Sequence, residues 1–228
     1  KAHTSKRPSV GMAVDQNWYC IKSVNRLKEG FTPLSDYVGT GTKFTDTSFE
    51  GTDQVWWDDF SRERDIKNML GNDYEDNLED GYLHFSRWKE EWPSMLLGVE
   101  AGQAIDWTEA VQGGAGTCYI KSSMGALAEF PDLVRATFLN TDTNDEGIYN
   151  VRFYIRGKPW VVTVDDYMLF AGSNPSLLYF AQPSADGTEI WGAVLEKAWA
   201  KVKGNYMISE GGHVANGIRA LTGVPVFV

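Results

Sequence analysis

The sequence predicts an α+β fold on three observations: a glycine-rich turn that feeds a helix at Cys118, an alternating β-branched and aromatic stretch over 147–164, and a helix-period apolar stripe over 189–203. Gln112-Gly113-Gly114-Ala115-Gly116 is poor in side chains, so backbone can approach backbone there, and Thr117 is suited to cap a helix that begins at Cys118. The thiol then stands at a helix N-terminus, where unpaired N–H groups and the positive end of the dipole favour the thiolate a nucleophile needs. Gln112 could bring its side-chain amide to the same point. With the backbone N–H of Cys118 it would supply two donors to the oxygen that gains charge when a thiolate attacks a carbonyl. The same residues also fit a structural cysteine behind a geometric turn, because free Cys packs as a small hydrophobe. Choosing between the two requires a partner base.

The second element reads as a hairpin. Gly147 to Ile155 forms one arm, Arg156-Gly157-Lys158 the turn and Pro159 to Val164 the other arm, ended by Asp165 and Asp166. Asp142-x-Asn144-x-Glu146-Gly147 opens like a calcium loop, but its twelfth position is Phe153, which offers no bidentate carboxylate, so it is a turn into the hairpin. The third element places Trp191, Val194, Leu195, Ala198 and Val202 on one core-facing stripe, with Glu189 at its start and Lys201 and Lys203 before Gly204. His213 falls at the start of a further short helix that ends near Gly223.

Upstream, residues 1–55 are rich in Gly, Thr, Ser and Asp and predict an extended arm, fixed to a partner or to its own core by Trp18, Tyr19, Phe31 and Tyr37. From Trp56 to Trp92 the chain is acidic and aromatic. Phe60, Ile66, Met69 and Leu70 suggest a short helix with Asp58 and Asp59 in its first turn. The cluster Asp73, Glu75, Asp76, Glu79 and Asp80 lacks the glycine that a helix-loop-helix calcium site needs, Leu78 standing there, and reads as a solvated acidic loop. His84, beside Phe85 and Trp88, reads as packing.

Composition bounds the function. The 228 residues are 43% apolar, with nine Trp, ten Tyr and eleven Phe, enough for one sizeable core. A net charge of -10 and the lack of a basic stripe argue against nucleic acid as a partner. Two cysteines, Cys20 and Cys118, argue against a disulfide framework and for a reducing, intracellular compartment. No apolar run approaches a membrane span, and KAHTSKRP has no apolar core of a signal peptide. Since the chain opens at Lys1, it is expected to be processed or partial.

Four separated stretches carry a resemblance: CYIKSSMGALAEFPDLV (118–134), GIYNVRFYIRGKPWVVTVDDYM (147–168), EIWGAVLEKAWAKVKGNY (189–206) and EGGHVANGIRALTGVPV (210–226). Together with the Gln-Gly-x-x-Gly-x-Cys-aromatic segment, they resemble, in order and spacing, the first half of the protease core of calpains, a family of papain-like cysteine peptidases. The resemblance implies residues 86–228 as that papain-like half, with 1–85 a loop-rich, acidic N-terminal extension. It also implies Cys118 as nucleophile and Gln112 as oxyanion donor. A calcium site is implied as well, with Glu109, nine residues before the cysteine, and Glu189, beside Ile190-Trp191, as ligands. The family's His and Asn lie roughly 130–150 residues or more after the cysteine, whereas 110 residues follow Cys118 here, and His3, His84 and His213 match no catalytic position. The active site is therefore expected to be half present. The resemblance implies one of two roles in a cytoplasmic or cytoskeletal setting: a catalytically silent subunit of a larger cytoskeletal or other multi-protein assembly, or a calcium-dependent endopeptidase whose His and Asn come from further chain or another polypeptide. A transglutaminase-like acyl transferase shares the Cys-His logic, but the hairpin and WGAVLEKAWAK favour the calpain reading. Departures from the family pattern are Thr117 for Asp, Ile120 and Lys121 at two apolar positions, and Ala104 for Gly. Lys121 is expected to snorkel or find a partner.

Overall fold

The computed structural model describes residues 31–51, 67, 70–172 and 177–226. Trp18, Tyr19, Cys20 and the expected helix through Asp58, Asp59, Phe60, Ile66 and Met69 lie outside the described residues. The fold is α+β. Helix α1 (Tyr74–Glu79) leads into strand β1 (Leu83–Arg87) and helix α2 (Trp88–Glu91). A 3-10 turn, Trp107–Glu109, precedes helices α3 (Cys118–Ala128) and α4 (Pro131–Arg135). Strands β2 (Ile148–Ile155), β3 (Lys158–Asp165), β4 (Tyr167–Ala171) and β5 (Leu177–Leu178) follow, then helices α5 (Trp191–Lys203), α6 (Tyr206–Ser209) and α7 (Val214–Thr222). β1, β4 and β5 make one antiparallel sheet in the order β1-β4-β5, and β2 and β3 make a separate hairpin. Among the described residues, no helix is long and apolar enough to cross a membrane.

The hairpin is tighter than expected. Ile155 pairs with Lys158, so the turn is Arg156-Gly157 alone, and both have positive φ, 54° and 74°. That is the mirror-image turn whose twist matches the strands, with an arginine in a conformation that side chains seldom adopt. Asp165 belongs to β3 and pairs with Ile148. The acidic stretch expected as a loop is instead the helix α1. Its Asp73, Glu75, Asp76, Glu79 and Asp80 are exposed, while Tyr74 turns inward and is buried. Solvation of the charges and helix formation are compatible, since one apolar anchor fixes the turn to the core. His84 packs as expected, stacked on Phe170 at 5.8 Å between centroids, with Nδ1 3.2 Å from the Gly81 carbonyl.

Helix α5 departs most from its stripe. Every residue from Trp191 to Val202 is buried, among them Glu196, Lys197 and Lys201. The ionic groups are paired inside. The Lys197 ammonium donates to the Asp165 carboxylate at 2.5 Å, and that of Lys201 donates to Asp46 and to the Thr163 carbonyl, each at 2.6 Å. Nearby, Arg87 pairs with Asp166 and donates to the Phe44 carbonyl. Such hydrogen-bonded pairing offsets the large cost of removing each charge from water. Asp46 comes from residues 31–51, which lie on the protein's own core: Phe49 is fully buried, and Glu146 Oε1 accepts the amides of Gly39 (3.0 Å) and Gly41 (3.1 Å). Tyr37 meets Phe44 edge-on at 5.0 Å, whereas Phe31 is exposed.

Candidate active site

Cys118 is the first residue of α3, and it is exposed. The turn before it holds the chain against the segment after β5. Gly114 donates its amide to the Tyr179 carbonyl at 2.8 Å, and a Cβ built on Gly113 would lie 1.1 Å from the Phe180 carbonyl oxygen. Only glycine fits there. On the other side Gly116 donates to Glu210 Oε1 at 2.9 Å and accepts from the Gly211 amide at 2.9 Å. Backbone is thus clamped on both sides immediately before the thiol.

Thr117 occupies the N-cap position, but its hydroxyl makes no capping bond. It donates to the buried carboxylate of Glu196. Glu196 also accepts the Ala181 amide at 2.8 Å and has the Lys121 ammonium 4.0 Å away. Lys121 does not snorkel. It is buried and donates to the Gly192 carbonyl at 2.9 Å, with burial pulling its ammonium below the usual lysine range against the attraction of Glu196. Thr117, Lys121 and Glu196 therefore tie the first turn of α3 to α5.

Cys118 and Gln112 line one open groove of about 580 Å³, together with Trp107, Ser122 and Gly125. The Gln112 side-chain amide donates to the Ala115 carbonyl at 2.9 Å, inside the glycine turn. Neither His84 nor His213 lines this groove, and His213 stands at the N-cap of α7. His3 lies outside the described residues.

Glu109 and Glu189 are brought together by two short segments. Asp106 and Glu109 cap the 3-10 turn reciprocally, the Asp106 amide donating to Glu109 Oε1 at 3.0 Å, while Glu109 Oε2 accepts the Trp191 indole N–H at 2.7 Å. Glu189 is pinned by Ser184, whose Oγ accepts its amide at 2.9 Å. Gly98, at φ 91°, passes so close that an added Cβ would lie 2.6 Å from that of Glu189. Burial pushes the Glu189 carboxyl up to about 8, helped by the charge and hydrogen bond of Glu109 and by the charges of Asp186 and Glu100. Two carboxyls this close disfavour both being charged, and a hard cation could relieve the same repulsion. Among the described residues no group of three His, Cys, Asp or Glu side chains is arranged to hold a metal, so carbonyls and water would have to complete a shell of six to eight oxygens.

The model of the calpain family cysteine protease domain matches residues 68–227, spanning the turn, Cys118, the hairpin, α5 and α7. The chain belongs to the calpain family of cysteine proteases. It is 36% identical over 120 residues to the calpain-type cysteine protease DEK1 of Zea mays, a match covering 53% of this chain and 5% of that protein. The calpain-2 catalytic subunit of Macaca fascicularis is 35% identical over 196 residues, covering 72% of this chain and 27% of that one. Over 120 residues the calpain-2 catalytic subunit of Homo sapiens is also 35% identical, covering 51% of this chain and 16% of its own length. The chain thus spans well under a third of each of these relatives. Within this calpain domain, Glu196 is the site-supporting residue that sequence reasoning overlooked. Its signal lay in WGAVLEKAWAKV, where the Glu196-Lys197 pair is flanked by Leu195 and Ala198-Trp199 with no polar face wide enough to keep it in water.

Proposed function

We propose that these residues form the cysteine-bearing half of a calcium-dependent calpain-type endopeptidase, with Cys118 as nucleophile and Gln112 as oxyanion donor. The His and Asn come from another part of the chain or from another polypeptide, which packs as the second half of the core. One observation carries the reading: an exposed thiol on the first residue of an eleven-residue helix shares an open groove with a glutamine amide six positions upstream. In the reaction the Cys118 sulfur bonds to the peptide carbonyl carbon. The resulting oxyanion accepts hydrogen bonds from the Cys118 amide and from Gln112, whose side chain turns from the Ala115 carbonyl to reach it. The imidazole passes its proton to the leaving amine, and water then hydrolyses the thioester. Glu109 and Glu189 would hold calcium through their carboxylate oxygens. A cation there would offset the repulsion between the two carboxylates and would tie the segment before α3 to the segment before α5.

Two observations favour a second reading, a silent structural subunit of a cytoskeletal or other multi-protein assembly. The Gln112 amide is engaged with the Ala115 carbonyl, and Lys121 carries a buried charge in the second turn of the nucleophile helix, at a position the resemblance implies to be apolar. The two readings separate on the native full-length chain treated with a thiol-directed peptidyl inhibitor in calcium. The peptidase reading expects one label per chain, on Cys118, slowed about 100-fold or more by Gln112→Ala. Labelling no faster than that of an ordinary exposed cysteine would favour the silent subunit.

A further inference from the structure

The segment between α6 and α7 is fastened to the residues on both sides of Cys118. Before the cysteine, Gly116 donates its amide to Glu210 Oε1 at 2.9 Å, and its carbonyl accepts the Gly211 amide, also at 2.9 Å. After it, the Tyr119 hydroxyl donates to the Ser209 carbonyl at 2.9 Å, and a Cβ added to Gly212 would lie 2.7 Å from the Tyr119 ring. That hydroxyl is itself fixed by the Trp199 indole N–H, which donates to it at 2.7 Å. Residues 209–212 therefore form a wall attached to the first turn of α3.

The wall carries one carboxylate. Glu210, Gly211 and Gly212 are exposed, and the two glycines have no side chain to cover it. Glu210 gives Oε1 to the Gly116 amide, whereas a carboxylate offers about four lone-pair sites over its two oxygens, and it forms no ion pair among the described residues. Gly116 precedes Cys118 by two residues, so the carboxylate stands no more than about 12 Å from the Cys118 Cα. Extended chain covers that span in three to four residues at roughly 3.3 Å each, and in fewer when a long side chain reaches back. The groove of the thiol offers no opposing charge. Among the described residues that line it, Lys121 is the one cation, turned inward onto the Gly192 carbonyl and Glu196, while the exposed Glu129 closes α3.

We propose that Glu210 selects peptide substrates that carry a lysine or arginine two or three residues from the scissile bond. The inference rests on Cys118 being a peptidase nucleophile and gives that activity a substrate class. The ammonium or guanidinium donates to the Glu210 carboxylate while the peptide carbonyl meets the thiol. Because Gly116 already holds the carboxylate in place, little freedom is lost when the pair forms. A net charge of -10 adds a general attraction for cationic peptides and a repulsion of acidic ones.

The test is cleavage of internally quenched peptides by the native full-length chain in calcium. One neutral sequence is used, with a single lysine replacing norleucine at each position in turn. Lysine at one position, two or three residues from the bond, is expected to raise kcat/KM about three- to fivefold, the scale of an exposed ion pair, and glutamate there to lower it by a similar factor. Glu210→Gln keeps an oxygen for the Gly116 amide and is expected to remove both effects. In the wild type alone, the preference should fade as salt is raised to about 1 M, so the inference stays testable even if the variant does not fold. Cleavage indifferent to the lysine's position, a preference that survives in Glu210→Gln, or one that salt leaves unchanged would overturn this inference alone. Failure to cleave any peptide would overturn the peptidase reading and this inference with it.

Discussion

Lys121 enters α3 one turn after Cys118 on a side that faces the interior, and its charge is accommodated by the Gly192 carbonyl at 2.9 Å and the Glu196 carboxylate at 4.0 Å. Removing one partner would leave the other as a buried charge without its counter-charge. Lys121→Met or Glu196→Gln alone is therefore expected to cost about 3–5 kcal/mol in urea unfolding, while the double variant recovers most of that loss. Simple additivity of the two single costs would contradict the coupling. The need for such a partner was legible in the sequence, because a lysine at a normally apolar position must be compensated. Its identity was not, since Glu196 lies 75 residues away and is joined to Lys121 only by the packing of α5 on α3. The same distance hid the role of Thr117. Local rules make it a cap, yet a buried carboxylate is the stronger acceptor and takes its hydroxyl.

Among the elements, the hairpin was read nearly to the residue because its signals are local: alternation on both sides and a glycine at the turn. The glycine turn before Cys118 was read correctly as a place of close backbone approach, and the Phe180 carbonyl is what approaches. Gly113→Ala is accordingly expected to displace the turn or the segment at Phe180, costing about 2–4 kcal/mol and slowing peptidyl labelling of Cys118 well beyond what that loss of stability explains. Unchanged melting and labelling would show that the turn can give way. Helix α5 was read only in part. A period of 3.6 located its apolar stripe, but the pairing of Lys197 with Asp165 and of Lys201 with Asp46 depends on a hairpin and an N-terminal segment whose arrival no local pattern announces. The acidic run at 73–80 failed for a related reason, a single buried Tyr74 sufficing to hold a helix that charge alone would leave as a loop.

For the whole molecule, one cores-and-clamps arrangement serves the candidate site. Residues 31–51, the hairpin and α5 are bound by buried ion pairs, α5 holds α3 through Glu196, and the 3-10 turn before α3 meets the segment before α5 through Glu109, Trp191 and Glu189. The cysteine turn is thereby placed between two rigid attachments, one of which is the pair of carboxylates proposed to take calcium. The Glu109–Glu189 pairing could be foreseen only from family resemblance, because 80 residues separate two ordinary acids. The most direct measurement is hydrolysis of a fluorogenic peptide by the full native chain in a calcium titration, comparing wild type with Cys118→Ser and Glu189→Gln. Calcium-dependent cleavage by the wild type, a loss of about 1,000-fold or more in Cys118→Ser, and a calcium midpoint moved to higher concentration in Glu189→Gln are predicted. Cleavage by Cys118→Ser at the wild-type rate would contradict the assignment of Cys118 as nucleophile.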